Sequence, residues 1–140
     1  MKILALDLGD KWVGSAISDG LGISCRPYGT VDIINTYSFL EKVLKEEDIS
    51  KIVIGYPKTI SGTESEQTLK VLKTKEELET KFKDLGLKWI LWDERLSSKR
   101  AASAQKKTSH RDKQAKIDSH SIAAAFILQS YLDSLALYNE

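Results

Sequence analysis

The sequence contains few of the residues that build disulfide-linked, zinc-binding or membrane proteins. Cys25 is the single cysteine among 140 residues, so no internal disulfide can form, and no Cys/His cluster has zinc-binding spacing. No apolar run approaches the roughly 18 residues that suggest a membrane span. The short apolar run after Met1 and Lys2 ends at Asp7, which does not fit a signal peptide. We therefore expect a cytoplasmic protein with no membrane partner, in which Cys25 is a small, half-buried strand residue.

The composition that remains is that of an ordinary globular protein. Hydrophobic residues make up 41% of the chain and charged residues 29%. A chain of 140 residues can bury one substantial core and is too short for two comfortable ones. We therefore expect a single domain that covers residues 1–140.

Apolar runs and turn residues predict the element order βββαβαβαα. The predicted strands cover residues 2–8, 12–18, about 23–31, 51–55 and 87–92. The predicted helices cover about 36–48, a segment opening at Glu64, about 96–107 and about 115–135. Pro27 is expected to interrupt the third strand or to place it at an edge. A strand meander followed by strands that return through helices predicts an α/β fold, a five-stranded mixed sheet with helices on both faces. The RNase H-like fold is one of the few folds with this order.

Charge is distributed unevenly along the chain. The whole protein carries a net charge of +1, but residues 95–117 hold eight basic residues against the single acid Asp112, a net charge of +7. A concentrated positive segment on an otherwise acidic protein favours a local contact with a polyanion. A solvated helix and loop would explain the same pattern equally well.

Three carboxylates occupy positions from which they could bind divalent metal. Asp7 ends the first predicted strand, Glu94 follows the fifth, and Asp118 lies early on the last helix. Two Mg²⁺ ions held by such oxygens can neutralise a phosphate, activate water and stabilise the leaving oxygen. Each acid also has a structural explanation: a turn cap, a surface ion pair or a first-turn helix residue. The three acids therefore have two possible interpretations, a shared metal site or three separate structural roles.

Other residues give weaker signals. Small residues at 123–125 would let the last helix approach the sheet and bring Asp118 toward Asp7, although helix propensity explains them equally well. His110 and His120 could serve as general base or substrate contact, but two unpaired histidines usually do neither. His120 lies two residues after Asp118 and therefore faces elsewhere on the helix. The three tryptophans, Trp12, Trp89 and Trp92, are expected in the core or half-buried in strands, with base stacking by Trp12 a minor alternative.

Several blocks, taken in order, resemble one family. They are Ala5-Leu6-Asp7-Leu8-Gly9-Asp10-Lys11 with Val13-Gly14-Ser15-Ala16-Ile17-Ser18-Asp19, Gly55-Tyr56-Pro57 with Ser61-Gly62-Thr63, Asp93-Glu94-Arg95-Leu96-Ser97-Ser98, and Ile117-Asp118 with Ala123-Ala124 and Ile127-Leu128-Gln129. Together they resemble the YqgF family, the RuvX-type Holliday-junction-resolvase-like proteins. The resemblance spans essentially the whole chain.

The resemblance implies an RNase H-like nuclease that trims the 5′ end of precursor 16S ribosomal RNA. It implies dependence on Mg²⁺ or Mn²⁺, with catalytic and metal-binding roles for Asp7, Glu94 and Asp118. Departures from the family pattern at Trp12 and Thr59 affect the expected substrate contacts more than the metal site.

The working hypothesis is metal-dependent hydrolysis of RNA by a monomer or weak homodimer. Lys11 and Arg95 are the candidates for contact with the scissile or adjacent phosphate. The candidates for tracking the nucleic-acid backbone are Lys99, Arg100, Lys106, Lys107, Arg111 and Lys113.

Three alternatives stay open. A Holliday-junction resolvase would use the same metals on four-way DNA and would normally be a symmetric dimer. An ATP-binding domain of the actin and sugar-kinase type shares the Asp-x-Gly hairpin but needs two such domains. A non-catalytic RNA-binding module on the same fold is disfavoured because all three acids are present.

Overall fold

The fold is built on a mixed sheet of five strands with helices on both faces. The computed structural model describes residues 1–56, 66–93 and 113–138, and in the last range it describes side chains from 119 to 137. The strands are β1 (Lys2–Leu8), β2 (Trp12–Ser18), β3 (Cys25–Asp32), β4 (Ile49–Tyr56) and β5 (Lys88–Asp93). The helices are α1 (Thr36–Glu46), α2 (Glu66–Lys81) and α3 (Lys113–Tyr138). Short 3-10 turns at Ile33–Asn35 and Lys83–Leu85 precede α1 and follow α2.

The strand order in the sheet is β3-β2-β1-β4-β5. The first three strands form an antiparallel meander, and β4 and β5 run parallel to β1. The predicted strand sequence and mixed sheet are therefore confirmed, while the predicted helix at 96–107 and the predicted helix start at Glu64 lie outside the described residues. Because β1, β4 and β5 are parallel, they end together at one edge of the sheet. We call this the carboxyl edge, defined by Leu8, Tyr56 and Asp93.

Strand β1 is buried on both faces because it separates two hydrophobic cores. Leu4, Leu6 and Leu8 face the core that contains α1 and α2. Ile3 and Ala5 face the core built with α3. This alternation explains the near-continuous apolar run of the β1 sequence. Asp7 follows Ala5 by two residues, so its side chain lies on the same face of the strand as Ile3 and Ala5, the face covered by α3.

The element boundaries differ from the sequence-based ones where side chains compete for the backbone. The third strand begins at Cys25 rather than near Ile23, because the Asp19 carboxylate accepts hydrogen bonds from Ile23 N (2.9 Å) and Ser24 Oγ (3.1 Å). These bonds close a turn over residues that an apolar pattern would assign to the strand. The first helix ends at Glu46 rather than 48, and α3 extends beyond the predicted 115–135 at both ends.

Strand β3 lies at one edge of the sheet, and Pro27 sits within it. The β2–β3 pairing changes register between Ser15 and Ala16, which pair with Gly29 and Pro27 respectively. One extra residue on β3, Tyr28, is accommodated there. Proline lacks a backbone donor and is found in sheets at edges and bulges, so the sequence-based expectation for Pro27 is confirmed.

Helix α3 packs directly against the backbone of the sheet. It contacts β1, β2 and β3 and buries Ala124, Ile127 and Leu128 against them. A Cβ atom added at Gly14 of β2 would collide with His120 O and would lie 2.7 Å from Ser121 N. Glycine is therefore required at position 14 because the helix backbone occupies the place of a side chain. Among the described helices, none combines the length and apolar character needed to cross a membrane.

The thiol of Cys25 is half-buried between β3 and α3, as expected. Its Sγ donates to Ala125 O at 3.3 Å and to Gln129 Oε1 at 3.6 Å. Burial raises the pKa of the Cys25 thiol to about 11, and the carboxylates of Asp133 and Asp19 add to the rise. The thiol therefore stays neutral near pH 7, which is unsuited to nucleophilic catalysis.

Replacing Gly14 with alanine should destabilise the protein by about 1–3 kcal/mol or more, because a methyl group would collide with backbone atoms that cannot rotate away. Urea unfolding measures this loss. Gly29→Ala is the matched control, since nothing lies within 4 Å of a Cβ added at Gly29 on the neighbouring strand. Equal midpoints for Gly14→Ala and Gly29→Ala would contradict the close approach of α3.

Labelling of Cys25 by iodoacetamide at pH 8 should be about 100-fold slower than that of an ordinary exposed thiol. The reason is that the raised pKa, about 11, leaves correspondingly less thiolate at that pH. The rate should keep rising up to pH 10 and should reach the ordinary value once the protein is unfolded in urea. A plateau below pH 9 would contradict the assigned environment.

Candidate active site at the carboxyl edge

Asp7 lies near the end of the central strand and faces α3. It pairs with Gly14 of β2 in the antiparallel register, one residue before β1 ends. Its side chain is 20% exposed. The turn that follows is closed by a hydrogen bond from Gly9 N to Trp12 O of 2.9 Å. The structure thus places Asp7 where the sequence predicts it, in a rigid and partly accessible position.

The last residues of β4 and β5 lie at the same carboxyl edge. Tyr56 pairs with Asp93 in the parallel register. Glu94 is the next residue in the sequence and lies outside the described residues. The carboxyl ends of strands in open α/β sheets are the usual location of ligand sites. Asp7 and the end of β5 therefore share the edge that the hypothesis requires.

His120 is the α3 side chain that the structure brings to Asp7. Its Nδ1 atom lies 3.7 Å from Asp7 Oδ2, and its side chain is 30% exposed. The same ring lies beside the β1–β2 turn, because a Cβ added at Gly9 would be 3.6 Å from His120 Cε1. The imidazole is therefore positioned by both the strand end and the turn.

Asp118 lies on the same helix, but its side chain is outside the described part of the chain. Position 118 precedes His120 by two residues, which is about 200° around the helix axis and about 3 Å along it. The side of α3 that faces Asp7 carries His120, a residue that the sequence analysis did not assign to the metal site.

A signal for His120 was present in the spacing of the apolar residues. The buried α3 residues Ala124, Ile127, Leu128 and Tyr131 follow His120 by four, seven, eight and eleven positions. That spacing defines one helical stripe, and His120 begins it. The tightly packed Gly14 is the second signal, since strand glycine often marks a close backbone approach.

The predicted substrate-binding residues are only partly described. Lys11 is exposed in the β1–β2 turn, where its backbone carbonyl accepts a hydrogen bond from Ile33 N of 2.9 Å. Lys113 is the first residue of α3. The predicted contacts outside the described residues are Arg95, Lys99, Arg100, Lys106, Lys107 and Arg111, and the same holds for His110.

The tryptophans are half-buried strand residues, as predicted. Trp92 Nε1 donates to Ser130 Oγ at 3.1 Å, and its ring packs edge-on against Tyr131 with 5.4 Å between centroids. These contacts tie β5 to α3. Base stacking by Trp12 stays a prediction.

The donors at Asp7 fit a divalent ion that other ligands complete. No group of three metal-ligating side chains occurs within residues 1–56, 66–93 and 119–137. Asp7 and His120 provide one carboxylate oxygen and one imidazole nitrogen, 3.7 Å apart. Two ligands about 2.1 Å from one ion lie at most about 4.2 Å apart, so this separation is compatible with a shared ion. Partial exposure of both groups leaves room for water or a further side chain.

Comparison with known proteins gives matches over nearly the whole chain. A family model described as "RuvX: Holliday junction resolvase" matches residues 1–134. A protein of Lachnospira eligens is 35% identical over 140 residues, covering 96% of this chain and 98% of its own. A protein of Sulfurihydrogenibium sp. is 39% identical over 142 residues, covering 99% and 94%. Both are named "Putative pre-16S rRNA nuclease".

Solved structures show the same fold at low sequence identity. RuvC of T. thermophilus in complex with a Holliday junction substrate has a TM-score of 0.60 and 12% identity, covering 97% of this chain and 96% of its own. The Fowlpox virus resolvase in complex with Holliday junction DNA has a TM-score of 0.56 and 14% identity, covering 96% and 99%.

These matches confirm both the predicted fold and the resemblance. RuvC has the RNase H-like fold, and the five-stranded mixed sheet described above has the same architecture. The family match and the relatives extend over the blocks on which the resemblance rests. The chain therefore has the RNase H-like fold and belongs to the RuvX family of Holliday-junction-resolvase-like proteins.

Proposed function

We propose that the protein is a metal-dependent nuclease that hydrolyses phosphodiester bonds in RNA and processes the 5′ end of precursor 16S rRNA. The observation that carries this proposal is the end-to-end similarity to relatives named as pre-16S rRNA nucleases. The position of Asp7 at the carboxyl edge, beneath α3, supports it. Action on precursor rRNA would place the protein in the cytoplasm, with RNA as its partner.

The proposed site takes its ligands from three elements that meet at the carboxyl edge. Asp7 is the central ligand, since β1 is paired on both sides and holds the carboxylate in place. Glu94 follows β5, and α3 supplies a further ligand, for which Asp118 is the sequence-based candidate. Mg²⁺ or Mn²⁺ bound there would neutralise the phosphate and activate a water molecule.

The remaining proposed residues hold the substrate. Lys11 is exposed in the β1–β2 turn, four residues after Asp7, and can contact the scissile or adjacent phosphate. Arg95 follows Glu94 directly in the sequence and is assigned the same role. The basic residues from Lys99 to Lys113 track the polynucleotide backbone, because their positive charge matches regularly spaced phosphates.

A second candidate function is resolution of four-way DNA junctions. It is favoured by the description of the matching family model and by the fold shared with a RuvC–junction complex. Cutting two strands symmetrically would require two copies of the chain. Cleavage of a DNA junction, but not RNA, by a dimer in solution would favour this candidate.

Asp7→Asn should reduce cleavage of precursor 16S rRNA by at least about 100-fold, because an amide removes the charge that holds the ions. Purified protein is incubated with pre-rRNA and, separately, with a DNA junction, in Mg²⁺ and in Mn²⁺. RNA affinity and the unfolding midpoint should change little, since asparagine has nearly the same shape.

Asp84→Asn is the control for this experiment. Asp84 is an exposed carboxylate in the 3-10 turn before β5, at the opposite end of that strand from the carboxyl edge. Its loss should leave cleavage at the wild-type rate. Full activity of Asp7→Asn would exclude the proposed role of Asp7, and cleavage of neither substrate by wild-type protein would favour a non-catalytic RNA-binding module.

RNA binding should weaken steeply as salt rises, by roughly 0.7–0.9 logarithmic units per logarithmic unit of salt for each phosphate contact. The Lys106→Gln/Lys107→Gln variant should lower that slope by about 1.4–1.8. Lys42→Gln/Lys45→Gln is the matched control, because both lysines are exposed on α1, on the opposite face of the sheet from α3. Equal slopes for the two double variants would contradict a role for the basic segment.

A further inference from the structure

We propose that His120, and not Asp118, is the ligand that α3 contributes to the metal site, and that the site therefore favours Mn²⁺ over Mg²⁺. This inference rests on the proposed function only in requiring that the site at Asp7 binds a divalent ion. It changes the donor set from all oxygen to mixed oxygen and nitrogen. Three separate observations support it.

The first observation is the rotational position of α3. The buried residues Ala124, Ile127 and Leu128 place one side of the helix against the sheet. Measured from His120, these residues lie within about 80° around the axis, at 100° per residue. Position 118 lies about 80–180° from the same residues. A helix seated on this stripe therefore turns position 120, rather than position 118, toward the sheet.

The second observation is that backbone packing fixes α3 at this point along the sheet. The His120 carbonyl and Ser121 N lie against Gly14. Gly14 is also the strand partner of Asp7 in the β1–β2 register. The residue of α3 that rests on the sheet beside Asp7 is therefore His120 itself. Rotating the helix to present position 118 would break the contact with Gly14 and expose the apolar stripe.

The third observation is the relation between the two side chains. His120 Nδ1 and Asp7 Oδ2 are 3.7 Å apart, beyond ordinary hydrogen-bond distance. The separation is within the range for two ligands of one ion, and both groups retain access to solvent.

The chemistry of imidazole leads to the metal preference. Mg²⁺ takes hard oxygen ligands and keeps much of its water, whereas imidazole nitrogen suits first-row transition metals. Replacing one carboxylate by imidazole also removes one negative charge from the site. The nitrogen donor lowers the affinity for Mg²⁺ more than that for Mn²⁺, while the lost charge weakens the binding of both ions. The bonds that are formed and broken in the proposed RNA cleavage stay the same. The inference specifies only which metal ion the site binds preferentially.

The test measures Mn²⁺ binding to the full chain without substrate. Mn²⁺ alone is titrated, and free Mn²⁺ is followed by electron paramagnetic resonance. His120→Gln should weaken binding by tenfold or more, while Asp118→Asn should leave it within twofold. His120→Asp should restore binding and raise the affinity for Mg²⁺ relative to Mn²⁺, as competition with Mg²⁺ will show. Circular dichroism confirms that each variant is folded.

A spectroscopic measurement identifies the ligand directly. Bound Mn²⁺ in the wild-type protein should show ¹⁴N modulation in pulsed resonance, and His120→Asp should abolish it. His110→Gln, which removes the other histidine, should retain it. Mn²⁺ binding without ¹⁴N modulation, or a tenfold loss in Asp118→Asn but not in His120→Gln, would overturn the inference.

These outcomes separate this inference from the proposed function. Cleavage of pre-rRNA by a protein that shows no ¹⁴N modulation would contradict the His120 assignment and leave the proposed function intact. A protein that binds Mn²⁺ through His120 but cleaves no RNA or DNA fails the proposed function alone.

Discussion

The contact between the backbone of α3 and Gly14 is the constraint on which the candidate site depends. Hydrophobic burial drives α3 onto the sheet, but burial alone has no direction and would tolerate a shift or rotation of the helix. The collision that any side chain at position 14 would cause shows how near the two backbones lie. Because Gly14 is also paired with Asp7, this contact sets which residue of α3 stands beside the carboxylate.

Much of the fold could be predicted because its signals are local. The apolar run of β1, the turn residues around Asp10 and Gly20, and the alternation of strands with helices each depend on neighbouring residues. They were sufficient for the sheet and for the position of Asp7 at a strand end. The start of β3 was misplaced because the Asp19 carboxylate captures backbone and side-chain donors, an interaction that an apolar pattern does not encode.

The contribution of α3 to the site was harder to predict, for a physical reason. Its first turns contain serine and alanine, which fit either a buried or an exposed face, so the residues around position 118 do not fix the rotation of the helix. Larger buried residues such as Ile127 and Tyr131 fix it two turns later. These residues fix the rotation of the helix, and the contact with Gly14 fixes its position beside Asp7. Gly14 lies more than 100 residues earlier in the sequence, so the residues near position 118 do not reveal this contact. The sequence analysis therefore named Asp118, from its position early on the helix and from the family resemblance, and had no basis on which to place His120 beside Asp7.

The edge strand β3 has a consequence for assembly. A strand that adds to a sheet needs a regular row of free backbone donors and acceptors along the edge. Pro27 removes one donor from β3, and the extra residue at the register change disturbs the spacing of the others. These features disfavour continuation of the sheet by a second copy of the chain through β3. If two copies act together on one branched nucleic acid, the irregular edge at β3 favours their association through other surfaces.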